Sequence, residues 1–259
     1  MIAVIVPIYN TEKYLRETID SVICQTLSFA EHIRLILLDD ASTDGSFAIC
    51  EQYQKQYPKQ IVVKHYDTNQ GVSALRNEGV RIAGEMGDEL ITFLDSDDKL
   101  ADDAVEKAVQ YFDAHEDVFV AAIGIRYFDA YEGEQRLNWR FEKTDVVDIK
   151  KDYTYPHYYV GGVFLRHAVL DELHFDESLS FWEDALAVNQ VIVSQGKYGL
   201  IAGTHYYYRK REDESSLVDT AWHKKERYTT LLSSGYGQLF AYSRKKHHRI
   251  IPYVQYMVA

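Results

Sequence analysis

The sequence has few of the residues that mark several common protein classes. Only two cysteines, Cys24 and Cys50, occur in 259 residues, and both fall in predicted helices. This argues against a disulfide framework or a zinc site and predicts a cytoplasmic protein. Four prolines and 46% hydrophobic residues argue against a disordered or fibrous chain. No apolar run approaches the roughly 18 residues of a membrane span, and the first residues lack the basic leader of a signal peptide.

Positive charge is scarce except at the end of the chain. The net charge is −12, yet from His205 onward ten Lys or Arg face five Asp or Glu, whereas residues 1–204 carry 18 against 35. The acidic body argues against nucleic acid as a partner. The basic segment has two interpretations: solvated helix faces, or attachment to an acidic polymer or to the inner face of an anionic membrane.

Strand and helix patterns alternate four times before residue 96. The apolar runs are typical of strands buried on both faces, and the segments between them have helical spacing; the runs are "AVIVP", "RLILLDD", "QIVVKHY" and "LITFL". Such alternation predicts an α/β fold with a doubly wound, mostly parallel central sheet flanked by helices. We place this domain at residues 1–204 and a basic, mainly helical C-terminal extension at 205–259. Its apolar last residues predict that the chain is the front part of a longer one.

Polar and acidic residues follow the predicted strands. The first strand ends in Pro7-Ile8-Tyr9-Asn10, the second in Asp39-Asp40 and the fourth in Asp95-Ser96-Asp97-Asp98. The carboxyl ends of parallel strands meet at one edge of a sheet, where ligands bind, so we expect these residues to converge. Clustered Asp oxygens without His or Cys suit Mn²⁺ or Mg²⁺. The alternative is a solvated loop whose Asp residues cap the next helix.

Four motifs, in order, resemble the inverting nucleotide-sugar glycosyltransferases of family 2, which have the GT-A fold. They cover roughly residues 2–195 and read "VIVPIYNTEKYLRETIDSVICQT", "LILLDDASTDGS", "NQGVSALRNEGVRIAGEMGDELITFLDSDD" and "FWED". The later "YYYRKREDESS" is similar to bacterial members that build teichoic acids, capsules and other surface glycans. The resemblance implies transfer of a hexose or N-acetylhexosamine from a UDP-sugar to a hydroxyl of a glycan, lipid-linked or protein-linked acceptor.

The resemblance also implies a role for each matching residue. Donor binding falls to Pro7, Tyr9, Asn10, Glu12, Asp39, Asp40, Arg76, Asn77, Asp95, Ser96 and Arg209. The metal, Mn²⁺ or Mg²⁺, falls to Asp95, Asp97 and Asp98. Asp184 would be the catalytic base, with Trp182 and Glu183 near the acceptor. Lys210 and Arg211 are further candidates for contact with the diphosphate.

Each assignment has a structural alternative. Tyr9 would pack at a strand end, Arg76 would form a surface ion pair, and Glu183-Asp184 would be an acidic first helical turn favoured by the helix dipole. For the whole chain, the rivals are a non-catalytic carbohydrate- or nucleotide-binding domain and a metal-dependent phosphohydrolase. A nicotinamide dehydrogenase is disfavoured, since no G-x-G-x-x-G follows the first strand. The sequence lacks the Q-x-x-R-W motif of processive members, which favours addition of one sugar per encounter.

Overall fold

The computed structural model describes residues 1–155, 157–179, 182–211 and 238–239, without the side chains of Arg136 and Leu137. Its first part contains β1 (Ile2–Ile8), α1 (Glu12–Ile23), α2 (Phe29–His32), β2 (Ile33–Asp39), α3 (Ser46–Gln56), β3 (Ile61–His65), α4 (Val72–Glu85) and β4 (Leu90–Phe93). There follow β5 (Lys99–Leu100), α5 (Ala104–Ala114), β6 (Val120–Asp129), β7 (Gly133–Glu134), β8 (Val146–Asp148), β9 (Val163–Arg166), α6 (Glu183–Gln195) and β10 (Lys197–Lys210). Two 3₁₀ helices span Arg136–Glu142 and His167–Glu172.

The described strands form one sheet in the order β3-β2-β1-β4-β9-β6-β10-β5, with β7 beside β6 and β8 beside β10. β1 pairs in parallel with β2 and β4, and β2 pairs in parallel with β3. The predicted α/β fold with a mostly parallel central sheet is therefore confirmed. The sequence did not indicate β9, which lies antiparallel between β4 and β6.

Strand β1 explains why the sheet needs helices on both of its faces. All seven of its residues are buried. Ala3 and Ile5 belong to the core that also contains residues of α4 and α6, whereas Val4 and Val6 belong to the core on the other face, with residues of α1, α3 and α5. Because side chains alternate along a strand, an unbroken apolar run can satisfy two cores at once.

The predicted boundary after residue 204 falls inside a continuous strand. Residues 205–210 continue β10 and pair in parallel with β6, after a register shift between Ile201 and His205. Apart from 238–239, the chain beyond Arg211 lies outside the described residues, so its predicted helices and membrane contact stay predictions. Within the described part, no helix combines the length and apolar character needed to cross a membrane.

Helix α4 approaches β1 closely at Gly79. A Cβ atom at this position would lie 2.3 Å from Cγ2 of Ile5, whereas a Cβ at Gly84, in the same helix, would have Cδ1 of Leu170 as its nearest neighbour at 4.0 Å. Ile5 is fully buried and β-branched, so it cannot easily move aside. The glycine therefore sets the distance between the helix and the sheet.

We expect Gly79→Ala to lower the free energy of unfolding by about 1–3 kcal/mol, because the inserted methyl group overpacks the core. Gly84→Ala is the matched control. It should raise the free energy of unfolding by up to about 1 kcal/mol, because alanine favours the helix over glycine. Urea unfolding followed by far-UV circular dichroism measures both values. A Gly79→Ala variant as stable as Gly84→Ala would show that α4 does not press on β1.

Candidate active site

A cleft of about 550 Å³ opens at the carboxyl ends of β1, β2 and β4. It is closed on its other sides by residues 158–161, by the start of α6 and by the end of β10. The cleft brings together most of the residues that the sequence singled out: Pro7, Tyr9, Asp40, Arg76, Asp95, Ser96, Asp97, Asp98, Trp182, Glu183 and Asp184. All four sequence motifs thus contribute to one cavity.

Arg76 on α4 links two of these motifs. Its Nη1 donates to Oε1 of Glu183 at 2.9 Å, and its Nη2 donates to Oδ1 of Asp95 at 3.2 Å. The side chain is buried, with 5% of the residue exposed, so the surface ion pair considered as an alternative is not what forms. Burial alone would lower the pKa of Arg76, but the charges of Asp95 and Glu183 outweigh it and raise that pKa.

Strand β10 supports the loop after β4 through hydrogen bonds. Asp98 is buried, and it accepts hydrogen bonds from the Tyr206 hydroxyl at 2.8 Å and from the Arg209 backbone N–H at 2.7 Å. The Tyr206 oxygen in turn accepts from the backbone N–H of Asp95 at 3.1 Å. Burial, followed by the charges of Asp97 and Asp95, raises the pKa of Asp98 well above its usual range. Asp98 therefore serves the shape of the loop through both of its oxygens.

Asp95 and Asp97 face the cleft with less support. Oδ2 of Asp97 accepts from Nε and Nη2 of Arg211 at 3.0 and 2.6 Å. Burial raises the pKa of Asp97, Arg211 opposes this, and the charge of Asp95 adds to it. The loop thus has more negative charge than Arg211 and Arg76 neutralise. This is an arrangement that fits a divalent cation, which takes one or two carboxylates and completes its shell with substrate phosphates. Among the described residues, no group of three or more His, Cys, Asp or Glu is arranged to hold a metal ion.

Asp184 lies in the first turn of α6. Its Oδ1 accepts from the backbone N–H of Ala185 at 2.7 Å. Burial and then the charge of Glu183 raise the pKa of Asp184 to about 7, although Arg76 opposes the shift. A helix dipole alone would favour the ionised form, so an ordinary acidic first turn does not account for this group. A carboxylate with a pKa near neutrality is suited to accept a proton at neutral pH.

Trp182 precedes this helix in an unusual backbone conformation. Its φ of 68° lies in the left-handed region, which is unfavourable for any residue with a Cβ. The ring is half-buried, lines the cleft and meets Tyr158 edge-on, with ring centres 5.6 Å apart. The Trp182 ring therefore both packs against Tyr158 and contacts the cleft.

Asn10, Glu12 and Asp39 are not among the cleft-lining residues. Oδ1 of Asn10 accepts from the Thr43 backbone N–H at 2.8 Å, and the Glu12 carboxylate accepts from the Gly45 N–H. Asp39 is fully buried, and its Oδ2 lies 2.7 Å from Nδ1 of His65. These side chains brace the loops after β1 and β2, and their predicted donor contacts stay predictions.

Asn77 and Arg209 also lie outside the lining. The Asn77 side chain donates to the carbonyl of Phe175 and accepts from its N–H, both at 2.9 Å. Arg209 donates to the Asp97 carbonyl at 2.7 Å and pairs with Asp129 and Glu17. The arginine that the structure brings to the cleft from this part of the chain is Arg211.

Several aromatic residues of the cleft were not assigned from the sequence. They are Tyr158, Tyr159, Tyr206 and Tyr208. The period of two along a strand would have placed Tyr206 and Tyr208 on one face of β10. The glycines of "YVGGVFL" were a second signal, because a Cβ at Gly161 would lie 2.8 Å from the Tyr206 ring.

Comparison with known proteins decides the family. The model of "Glycosyl transferase family 2" matches residues 3–174. The chain belongs to glycosyl transferase family 2. Among curated relatives, "Minor teichoic acid biosynthesis protein GgaA" of Bacillus subtilis (strain 168) is 42% identical over 260 residues, which cover 100% of this chain and 58% of GgaA. The chain therefore spans little more than half the length of this relative.

Solved structures of glycosyltransferases confirm the GT-A fold. S. aureus TarS 1-349 in complex with UDP-GlcNAc matches with a TM-score of 0.68 and 26% identity, over 82% of this chain and 59% of that one. The mannosyltransferase PcManGT from Pyrobaculum calidifontis, in complex with GDP-Man and Mn²⁺, matches with a TM-score of 0.64 and 16% identity, over 99% and 74% of the two chains. The second likeness concerns the fold alone.

The raised pKa of Asp184 predicts that this residue lowers stability. In the unfolded chain an Asp carboxyl ionises near pH 4, whereas in the fold it ionises near pH 7. Between these values the unfolded state releases the proton first, so stability falls as pH rises. We expect Asp184→Asn to raise the melting temperature more at about pH 8 than at about pH 4.

Asp148→Asn is the matched control for this measurement. Partial burial of Asp148 is outweighed by hydrogen bonds from the Lys150 N–H and from Lys151, which lower its pKa, so its neutralisation should bring no gain at about pH 8. Differential scanning fluorimetry across this pH range measures both variants. A melting temperature of Asp184→Asn below that of the wild type at about pH 8 would contradict the prediction.

Proposed function

We propose that this domain is a metal-dependent, inverting glycosyltransferase that moves a sugar from a UDP-sugar to a hydroxyl of a bacterial surface-glycan or teichoic-acid acceptor. The observation that carries the proposal is the double ion pair of Arg76 with Asp95 and Glu183, which holds the acidic loop and Asp184 around one cleft. The UDP-GlcNAc complex of TarS and the name of GgaA support the donor and acceptor classes.

The uridine would bind at the ends of β1 and β2. Tyr9 is 51% exposed and lines the cleft, so its ring is available beside the base. The Asp40 carboxylate already accepts from the backbone N–H groups of Gln70 and Gly71 at 2.6 and 2.9 Å, and these bonds orient it. Each carboxylate oxygen has two acceptor positions, so Asp40 retains the capacity to accept from the uracil N3–H.

The residues that would hold Mn²⁺ or Mg²⁺ are Asp97 and Asp95, while buried Asp98 supports their loop. When bound, the cation supplies positive charge that stabilises the departing diphosphate. Arg211 lines the same part of the cleft and would add a second positive charge once it turns from Asp97 to the diphosphate.

Asp184 would act as the base. It takes the proton of the acceptor hydroxyl while that oxygen forms a bond to the anomeric carbon. The bond from this carbon to the diphosphate oxygen breaks, and its electron pair leaves with UDP. A single displacement inverts the anomeric configuration. Glu183 is held by Arg76 and contributes by keeping the pKa of Asp184 near neutrality.

Removal of the base should abolish most turnover without affecting donor binding. We expect Asp184→Asn to lower kcat about 10²–10⁴-fold, the usual contribution of a general base, with unchanged UDP affinity. In the wild type, kcat should rise with pH through about 7, because Asp184 must be ionised to accept the proton. UDP release in the presence of Mn²⁺ is the measurement, and Asp148→Asn is the control with normal activity.

Two outcomes of this assay would contradict the proposal. Hydrolysis of phosphomonoesters without nucleotide-sugar turnover would indicate a phosphohydrolase in which Asp95 is the nucleophile. UDP binding without any divalent-dependent turnover would indicate a non-catalytic binding domain.

The metal should bind together with the nucleotide. In a thermal-shift experiment, UDP and Mn²⁺ together should stabilise the 259-residue chain more than either alone. At a hundredfold excess of ligand over Kd, the free energy of unfolding should exceed that of the ligand-free protein by about 2.7 kcal/mol. Asp97→Asn should lose the part of the shift that depends on Mn²⁺, and Asp148→Asn should keep it. An equal shift in Asp97→Asn would place the cation elsewhere.

A further inference from the structure

Aromatic rings line the same cleft as the proposed base. Trp182 directly precedes Glu183 and Asp184, and its ring meets that of Tyr158. Both rings are half-buried and line the cleft, as does Tyr208. A ring face carries partial negative charge and attracts the weakly positive C–H groups on the face of a pyranose. Half-burial holds these rings in position and leaves part of each accessible.

A second group of rings begins at Tyr208 in the cleft and extends over β6 to the loop after it. Tyr208 is the register partner of Tyr127, and their ring centres lie 6.0 Å apart. Tyr127 lies 5.9 Å from Tyr131, which is 58% exposed. The Nζ of Lys210 lies 5.2 and 4.8 Å from the ring centres of Tyr127 and Tyr208 and so orders both. We call this series the aromatic wall: Trp182, Tyr158, Tyr208, Tyr127 and Tyr131.

The charge around the base disfavours an anionic acceptor. Among the described residues, six carboxylates line the cleft, against two arginines; the carboxylates belong to Asp40, Asp95, Asp97, Asp98, Glu183 and Asp184. Without Asp98, whose raised pKa favours the neutral form, five carboxylates still face two arginines. Arg76 is paired with Asp95 and Glu183, and Arg211 is paired with Asp97. A divalent cation and a nucleotide diphosphate have opposite charges that largely cancel, so the negative excess remains. A phosphate on the acceptor beside Asp184 would be repelled.

We propose that the acceptor is an oligosaccharide that presents an uncharged pyranose hydroxyl to Asp184 and extends along the aromatic wall, rather than an alditol phosphate. This inference rests on the proposed function and narrows its acceptor class. The hydroxyl oxygen bonds to the anomeric carbon of the donor sugar, its proton passes to Asp184, and UDP leaves with the electron pair of the broken bond.

The first test compares acceptors. UDP release from the donor that gives the largest thermal shift is measured with methyl pyranosides, pyranose oligosaccharides, glycerol phosphate and ribitol phosphate. We expect saccharides to accelerate release above the rate of donor hydrolysis, with KM falling as the saccharide lengthens. Acceleration by the alditol phosphates that equals or exceeds that by saccharides overturns the inference, as does the absence of acceleration by every saccharide.

The second test probes the far end of the aromatic wall. Tyr131→Ala should raise KM for the oligosaccharide about three- to tenfold, the effect expected for loss of one aromatic contact. The KM of a methyl pyranoside should rise less than that of the oligosaccharide, because a single sugar extends less far along the wall. Tyr153→Ala, at a tyrosine that is 42% exposed and lies outside the cleft lining and the wall, is the matched control. An oligosaccharide KM that is the same in both variants overturns the inference.

These tests distinguish a wrong acceptor class from a wrong proposed function. If only the acceptor class is wrong, UDP release still depends on Asp184, and the alditol phosphates are the better acceptors. If the proposed function is wrong, no UDP release depends on Asp184 with any acceptor, and both proposals are overturned.

Discussion

The cleft depends on the two ion pairs that the buried guanidinium of Arg76 forms. The guanidinium pairs with carboxylates from the loop after β4 and from the start of α6, and Glu183 lies 107 residues away in the sequence. An unpaired charge at this depth would be costly, so α4, the acidic loop and α6 must be assembled together. Arg76 and Gly79 lie on the same helix, which packs closely against β1 at the glycine.

Three carboxylates of the cleft lower the stability of the fold but suit the proposed chemistry. Burial and mutual repulsion raise the pKa values of Asp97, Asp98 and Asp184, and each shift represents free energy that folding must supply. In the proposed function, a cation relieves the charge of the acidic loop, and the raised pKa of Asp184 makes it a usable base. Residues that are poor for stability are thus concentrated at the cleft, as expected of a functional site.

Strand β10 connects the acidic loop after β4 to the aromatic wall. Tyr206 fixes the acidic loop through Asp98 and Asp95, Arg211 pairs with Asp97, and Tyr208 continues into the aromatic wall. Because β10 is part of the central sheet, Tyr206 and Tyr208 are held on a rigid element, and Arg211 follows directly after its end. A site built in this way keeps its geometry better than one built on loops alone.

The sequence by itself determined the parallel strands β1 to β4 and the convergence of Tyr9, Asp40 and Asp95 to Asp98 at their carboxyl ends. Apolar runs identify such strands locally, and chain order allows few ways to pair them. Only the tertiary structure decided that β9 lies antiparallel beside β4, that Arg209 braces the loop while Arg211 reaches the cleft, and that Tyr158, Tyr206 and Tyr208 line the cleft. The period of two in β10 indicates that Tyr206 and Tyr208 share a face, but not what that face contacts. All these features depend on contacts between residues far apart in the sequence and on burial. The raised pKa of Asp184 has the same origin, because it comes from the surroundings of the carboxyl rather than from the residue itself.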